Sequence, residues 1–331
     1  MTVGVSYSIG ERERQNLSQL ADYRSVQAVS DIWSIAAQRF SSITALYAPH
    51  FNPEVKLTYV ELYEQIYQFA TGLQILGVQP GDRICLFADN SPRWLIADQG
   101  MMMAGAVNAV RSCQADRDEL LFILQNSGST GLVVEDLATL KKLRSFLTDL
   151  PLRLVVILAD QTAPDDPDLN TLNFSQVMTL AKERSMQPVG QNQQSLATLI
   201  YTSGTTGKPK GIVHTHGGFP LKIAHDALVH LDLAPGDVFC WPADMGWIAG
   251  SLVLAASLLR GATLVCYTGG PDYPDFSRLS RLIERHGITH FGSAPTLIRS
   301  LASHAAEATL GDVSSVQLLV TAGEGIDPEH F

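Results

Sequence analysis

The feature that most constrains this chain is an alternation of short apolar β-type runs with helical patterns, starting at Arg83 and continuing almost to the end. RICLF at 83–87 leads into a helical pattern from Pro92 to about Ala104 and then into AVNAV at 106–110. Strand–helix–strand units of this kind join parallel strands, and their helices cover the sheet faces. The rhythm continues with a helix opened by Asp116 as N-cap and Glu119 as its capping-box partner, the strand GLVV, a helix around 137–147 and the strand LRLVVIL. It predicts an α/β fold of mostly parallel sheets flanked by helices.

Between Ala159 and Ser195 the texture turns rich in Pro, Asp, Asn and Gln, with one amphipathic helix near Phe174 to Arg184. This suggests a first α/β subdomain over 1–160, a linker region over 161–195 and a second α/β subdomain over 196–331. A length of 331 residues suits about two such units. The second contains LATLIY ending at Tyr201, a polar loop, GIV at 211–213, a helix to about Leu231 and VFCW at 238–241. A helix from 247, ATLVCY at 262–267, a helix from Asp275 to His286, ITHF and VQLLV at 316–320 follow.

Composition removes several alternatives. Hydrophobic residues at 46% against 17% charged describe a chain that buries a core. With 23 basic and 33 acidic residues the net charge is −10, the wrong sign for a binder of nucleic-acid phosphates. The longest uncharged apolar stretch, Trp247 to Leu259, is too short for the roughly 20 residues of a membrane span and reads as a core helix, so no transmembrane segment is expected. The first residues show no export signal, Thr2 rules out N-myristoylation, and four dispersed cysteines suit reduced, buried thiols. A cytoplasmic location is expected.

The chemistry concentrates in YTSGTTGKPKG at 201–211. Its glycines let backbone N–H groups approach phosphate oxygens closely, Thr202, Ser203, Thr205 and Thr206 add hydroxyl donors, and Lys208 and Lys210 add positive charge. A Walker loop does not fit: Thr202 stands where its first glycine belongs, Pro209 stands where its Ser or Thr belongs, and a strand follows instead of a helix.

This segment resembles the phosphate-loop signature of the acyl-adenylate-forming, AMP-binding superfamily, which includes acyl-CoA synthetases, luciferases and peptide-synthetase adenylation domains. LTYVELYEQI, GVQPGDRICLFADNSPRW and MAGAVNAV upstream, and PADMGW, GSAPTLIR and TAGEGIDP downstream, occur in the family's order, so the resemblance runs from about Leu57 to Asp327. It implies the large N-terminal domain of such an enzyme. The activity implied is ATP-dependent conversion of a carboxylic acid, of the fatty class, to an acyl-adenylate, followed by transfer to the thiol of CoA or acyl-carrier protein, with Mg²⁺ as cofactor. Peptide-synthetase adenylation fits less well, because the upstream segments resemble fatty acyl ligases.

Carried over residue by residue, Thr202, Ser203, Gly204, Thr205, Thr206, Gly207 and Lys208 hold the β- and γ-phosphates, with Thr202 and Lys208 taking catalytic roles. Gly323, Glu324 and Gly325 line the adenine site, and Gly246, Trp247, Ile248 and Ala249 wall the acyl pocket. Up to about 211 the chain resembles long-chain acyl ligases, and after about 213 it is closer to acetyl-CoA synthetases. In the latter pattern Thr and His stand where this chain has Ala249 and Ser251, smaller side chains that leave more room for an acyl group. The family's aromatic-Gly-x-Thr-Glu motif, a later ribose-binding Asp and the small C-terminal domain with its catalytic Lys are expected to be absent, as in a truncated ligase. That gives the alternative of a non-catalytic nucleotide-binding fragment.

Other candidates have plainer readings. Asp244 reads as the start of a helix, His286 and His290 straddle a helix-to-strand junction and make a poor zinc pair, and Met101–Met103 read as core filler. His214 and His216 alternate beside the loop and read as packing or hydrogen-bonding residues, with His216 also a candidate to touch substrate.

Overall fold

The structure, a computed structural model, describes residues 10, 11, 14, 22–162, 166–202 and 209–326. In chain order its elements begin with α1 (Asp31–Arg39), β1 (Thr44–Ala48), β2 (Val55–Thr58), α2 (Tyr59–Ile75), β3 (Arg83–Phe87), α3 (Pro92–Met103), β4 (Val107–Arg111) and α4 (Arg117–Ser127). There follow β5 (Gly131–Val134), α5 (Leu137–Leu143), β6 (Leu154–Ile157), β7 (Thr171–Asn173), α6 (Phe174–Leu180), β8 (Leu196–Thr202) and β9 (Lys210–Thr215). The remainder is α7 (Gly218–Val229), β10 (Val238–Cys240), α8 (Ile248–Arg260), β11 (Thr263–Val265), α9 (Arg278–His286), β12 (His290–Ser293), α10 (Pro295–Ser303), α11 (Ala305–Ala308) and β13 (Leu318–Thr321).

These strands form two sheets, one of seven in the order β7-β6-β5-β3-β4-β8-β9 and one of six in the order β13-β12-β10-β11-β1-β2. Pairing is parallel except at the edges β8–β9 and β1–β2. Alternate side chains of each strand enter different cores, as a period of two demands. Ile84, Leu86, Val133 and Val156 of the first sheet share a central core with Leu46, Phe239 and Leu264 of the second, filled by α2, α3 and α8. Their neighbours Cys85, Phe87, Val134 and Val155 face an outer core under α4 and α5. Tyr47, Cys240 and Val265 face another under α9. The result is five layers, helix–sheet–helix–sheet–helix.

Local chemistry sets the central helices. Thr58 caps α2 in a reciprocal box with Glu61, and Ser91 caps α3, whose first residue is Pro92. Tyr59 is fully buried, and its hydroxyl donates to the carbonyls of Ser257 (3.0 Å) and Ala262 (2.7 Å), fixing α2 against the end of α8. Trp33, Trp94 and Phe69 are also fully buried; such side chains contribute about 1.5–3 kcal/mol each. Met101, Met102 and Met103 are buried as expected, and all four cysteines are buried free thiols. Among the described residues no helix is long and apolar enough to cross a membrane.

The sheets do not divide at 161–195. β8 and β9, assigned by sequence to the second subdomain, complete the first sheet, while β1 and β2 complete the second by pairing β1 with β11. Hydrogen-bond partners across the whole chain override the local change in texture. Asp116 makes no side-chain cap on α4, and the Glu119 side chain, which would close the other half of the box, forms an ion pair with Arg111 at 2.8 Å. The helix expected from Asp275 starts at Arg278, since the Asp275 carboxylate accepts from the Ser277 backbone N–H at 2.9 Å in a turn ahead of it.

Candidate active site

In open parallel sheets ligands bind outside the carboxyl ends of the strands, where the strand order reverses. Here the order reverses at β3, which lies between β5 and β4. The segments after β3, β4 and β5 supply Asp89, Asn90, Ser112 and Glu135 to one wall of a crevice of about 460 Å³. Its other wall comes from the carboxyl ends of β10, β11 and β1, through Ala243, Asp244, Thr268, Gly269 and His50. The two sheets thus turn their carboxyl edges toward one another.

Asn90 joins the walls. Its side-chain amide donates to the carbonyls of Ala243 (2.8 Å) and Tyr267 (2.9 Å), and its oxygen accepts from the Met245 N–H (2.8 Å). On the first wall, Ser112 and Gln114 donate to the Asp89 carboxylate at 2.5 and 3.0 Å, while the Asp89 N–H and the Cys113 thiol donate to Glu135 at 3.0 and 2.7 Å. Burial together with the neighbouring carboxylates pushes the Cys113 thiol up, so it stays protonated. His50, against the edge of Tyr267, is pulled down to about 4 by burial, with Arg278 and His286 adding to the shift.

The proposed acyl-pocket residues lie beside this crevice. Gly246 is buried, Trp247 and Ala249 are half-buried, and Ile248 is exposed. Asp244 does not open the helix: α8 starts at Ile248 with Trp247 in the N-cap position. Asp244 instead accepts from the Gly246 N–H at 2.7 Å, and its burial raises its carboxyl above the usual range. The loop is clamped on α8 at Gly250, where an added Cβ would stand 2.2 Å from the Met245 Cα. The Arg111 guanidinium lies over the Trp247 ring, 4.2 Å from its centroid. Its Nη2 faces Glu119, and its buried Nε and Nη1 have no hydrogen-bond partner among the described residues.

Thr202 is the one residue of the proposed phosphate-binding set that is described; Ser203, Gly204, Thr205, Thr206, Gly207 and Lys208 lie outside the described residues. Thr202 is the last residue of β8, two beyond Ile200, which pairs with Val110 of β4. It therefore ends at the same sheet edge as Arg111 and Ser112. Gly323, Glu324 and Gly325 follow β13, at the corresponding edge of the second sheet, in an exposed turn with Gly323 at φ +104°. The Glu324 carboxylate accepts from the Thr296 N–H at 2.9 Å and from its hydroxyl, and the Gly325 carbonyl accepts from Arg299 at 2.9 Å. Those Thr296 bonds, ahead of the Arg299 charge, hold Glu324 below the usual carboxylate range. GEG and SAPTLIR, far apart in sequence, are thereby one unit.

His214 and His216 pack and hydrogen-bond as expected, His214 against the Phe219 ring, and His216 does not line the crevice. It is buried, its Nδ1 accepts from the Val29 N–H at 3.1 Å, its Nε2 lies 2.8 Å from Gln191, and burial pulls it down to about 4. His286 packs edge-on to Tyr47, and His290 Nε2 lies 2.9 Å from the Leu231 carbonyl oxygen. The sequence reading missed Arg111 and Asn90 as individuals. A basic residue closing an otherwise apolar strand run was the available signal for the first.

The chain belongs to the family of AMP-binding enzymes, whose model matches residues 33–331. It is 34% identical over 288 residues to an acetyl-coenzyme A synthetase of Laribacter hongkongensis, covering 83% of this chain and 44% of that protein. It is 35% identical over 214 residues to a chloroplastic long-chain-fatty-acid–[acyl-carrier-protein] ligase of Arabidopsis thaliana, covering 60% of this chain and 29% of that one. The chain thus spans less than half the length of these relatives. Among solved structures, acetoacetyl-CoA synthetase from Streptomyces lividans superposes with a TM-score of 0.81 at 27% identity, over 92% of this chain and 48% of the other.

Proposed function

We propose that the chain carries the acid-activating part of an ATP-dependent acid–thiol ligase. In this reading the carboxylate oxygen of the substrate attacks the α-phosphorus of ATP, the bond from that phosphorus to pyrophosphate breaks, and an acyl-adenylate results. A thiol then displaces AMP from the acyl carbon. The observation that supports it most is the convergence of Thr202, the Gly246–Ala249 segment and Gly323–Gly325 on the facing carboxyl edges of the two sheets.

Thr202 and the donors up to Lys208 are assigned to the β- and γ-phosphates, where preorganised N–H, hydroxyl and ammonium groups stabilise charge that develops on the departing pyrophosphate. Mg²⁺ neutralises part of that charge when bound. Gly323, Glu324 and Gly325 are assigned to the adenine, and Trp247, braced by Arg111, to a wall of the acid pocket. The residues fit an anionic ligand at this edge, because two buried guanidinium nitrogens of Arg111 lack partners among the described residues. A fatty acid as substrate, CoA or acyl-carrier protein as acceptor, and the cytoplasm as location complete the proposal.

Carboxylate-dependent exchange of pyrophosphate into ATP tests it on the 331-residue chain, with acids from acetate to palmitate. Exchange with one chain-length class is the expected result. The alternative reading is a nucleotide-binding unit without turnover. It predicts calorimetric ATP binding with no exchange for any acid.

A further inference from the structure

We propose that His225, Asp226 and His230 form a surface site for a divalent transition metal of the zinc class, on the face of α7 and apart from the crevice. Two imidazoles and a carboxylate are a donor set that zinc takes. One ligand atom from each of the three lies within 4.8 Å of the others. His225 Nδ1 is 3.3 Å and His230 Nε2 is 3.8 Å from the same Asp226 oxygen. Neighbouring donors of a tetrahedral zinc with bonds near 2.0–2.1 Å are about 3.4 Å apart, so only small side-chain movements separate this arrangement from a ligated one.

The backbone holds the three in place. His225 and Asp226 lie in the last turns of α7, and the Asp226 carbonyl accepts from the N–H groups of His230 (2.9 Å) and Leu231 (3.0 Å), fixing the turn that brings His230 back over Asp226. The imidazoles stand edge to face with centroids 5.4 Å apart. Both histidines are more than half exposed, so a water can complete the coordination, while Asp226 is largely covered. The competing cation is internal: the Lys222 ammonium bonds the same Asp226 oxygen one helical turn earlier. A metal ion must displace that ammonium, and its double charge and directed bonds to two imidazoles favour the exchange.

Calorimetric titration of the whole chain with zinc chloride tests the site, in a Cys113→Ala background so that the donor group of Asp89, Cys113 and Glu135 at the crevice does not compete. One equivalent should bind, and His225→Ala and His230→Ala should each weaken binding by at least about tenfold. Both side chains are exposed, so the variants should keep the unaltered circular dichroism spectrum. Lys222→Ala should bind zinc more tightly, an effect opposite in sign to general damage. Absence of binding by the unaltered chain, or undiminished binding by both histidine variants, overturns the proposal. A Lys222→Ala variant that binds no more tightly overturns the part assigned to Asp226.

Discussion

Arg111, the last residue of a strand in the first sheet, lies 4.2 Å over the ring of Trp247, which opens a helix belonging to the second. The contact carries a partly desolvated cation against an aromatic face, worth about 0.5–2 kcal/mol, and it spans the two walls of the candidate site. Arg111→Ala should therefore lower thermal stability by about that amount and raise the KM for the acid in pyrophosphate exchange more than it lowers kcat. Arg111→Lys should recover part of the stability but not the flat stacking. An unchanged KM in Arg111→Ala would remove Trp247 from the acid pocket.

Asn90 makes three hydrogen bonds to backbone groups of the opposite wall. Asn90→Ala strands those groups, and the expected cost is about 2 kcal/mol, read as a shift of the urea midpoint. Asn90→Asp should be no better, since a carboxylate cannot donate to the Ala243 and Tyr267 carbonyls.

Gly250→Ala places a methyl group 2.2 Å from the Met245 Cα and 2.7 Å from its carbonyl oxygen, and backbone cannot swing aside as a side-chain tip can. A loss of about 1–3 kcal/mol is expected in chemical unfolding, with the loop over 242–247 displaced. Wild-type stability in this variant would show that the loop does not lean on α8.

Asp98 is buried in the central core, where Asn108 and Gln99 donate to it and Gln99 in turn accepts from Trp33. Burial pushes its carboxyl up to about 7, which the two hydrogen bonds offset only in part. The folded state thus holds this proton more tightly than the unfolded state, so the group's contribution to stability falls as pH rises from about 4 to about 7 and levels off above. Asp98→Asn should flatten that fall, measured as melting temperature against pH; an unchanged slope would place the titration elsewhere.

Thr205→Ala combined with Lys208→Ala should weaken ATP binding by calorimetry, with the circular dichroism spectrum unaltered. Unchanged affinity would refute the phosphate-binding role given to 202–208.

Much of this was legible beforehand, and the reasons differ by element. The strands of the first sheet announce themselves because they are buried on both faces, so runs such as RICLF and GLVV need no alternation. β1 and β2 were missed: TALYA and VKLT are short, and their pairing with each other and with β11 is decided by residues distant in sequence. Asp116–Glu119 carries the spacing of a capping box as plainly as Thr58–Glu61 does, yet only the second forms; the Glu119 side chain pairs with Arg111, a partner its local sequence spacing does not reveal. At the site, the polar segments could be located by composition. What brings Asn90 to the second sheet is packing between layers, which leaves no local trace, whereas Arg111 is marked by its place at the end of an apolar strand run.

The crossing of β1 and β2 into the far sheet sets an order on synthesis. Thr263 donates to the carbonyl of Thr44, 219 positions earlier, so β1 must wait for a partner that leaves the ribosome last among its neighbours. The first sheet, complete at Thr215, has all its strands available well before then. A growing chain therefore carries the β1–β2 hairpin without its β11 neighbour until Val265 has been made, and the apolar face that β11 later covers stays open over that interval.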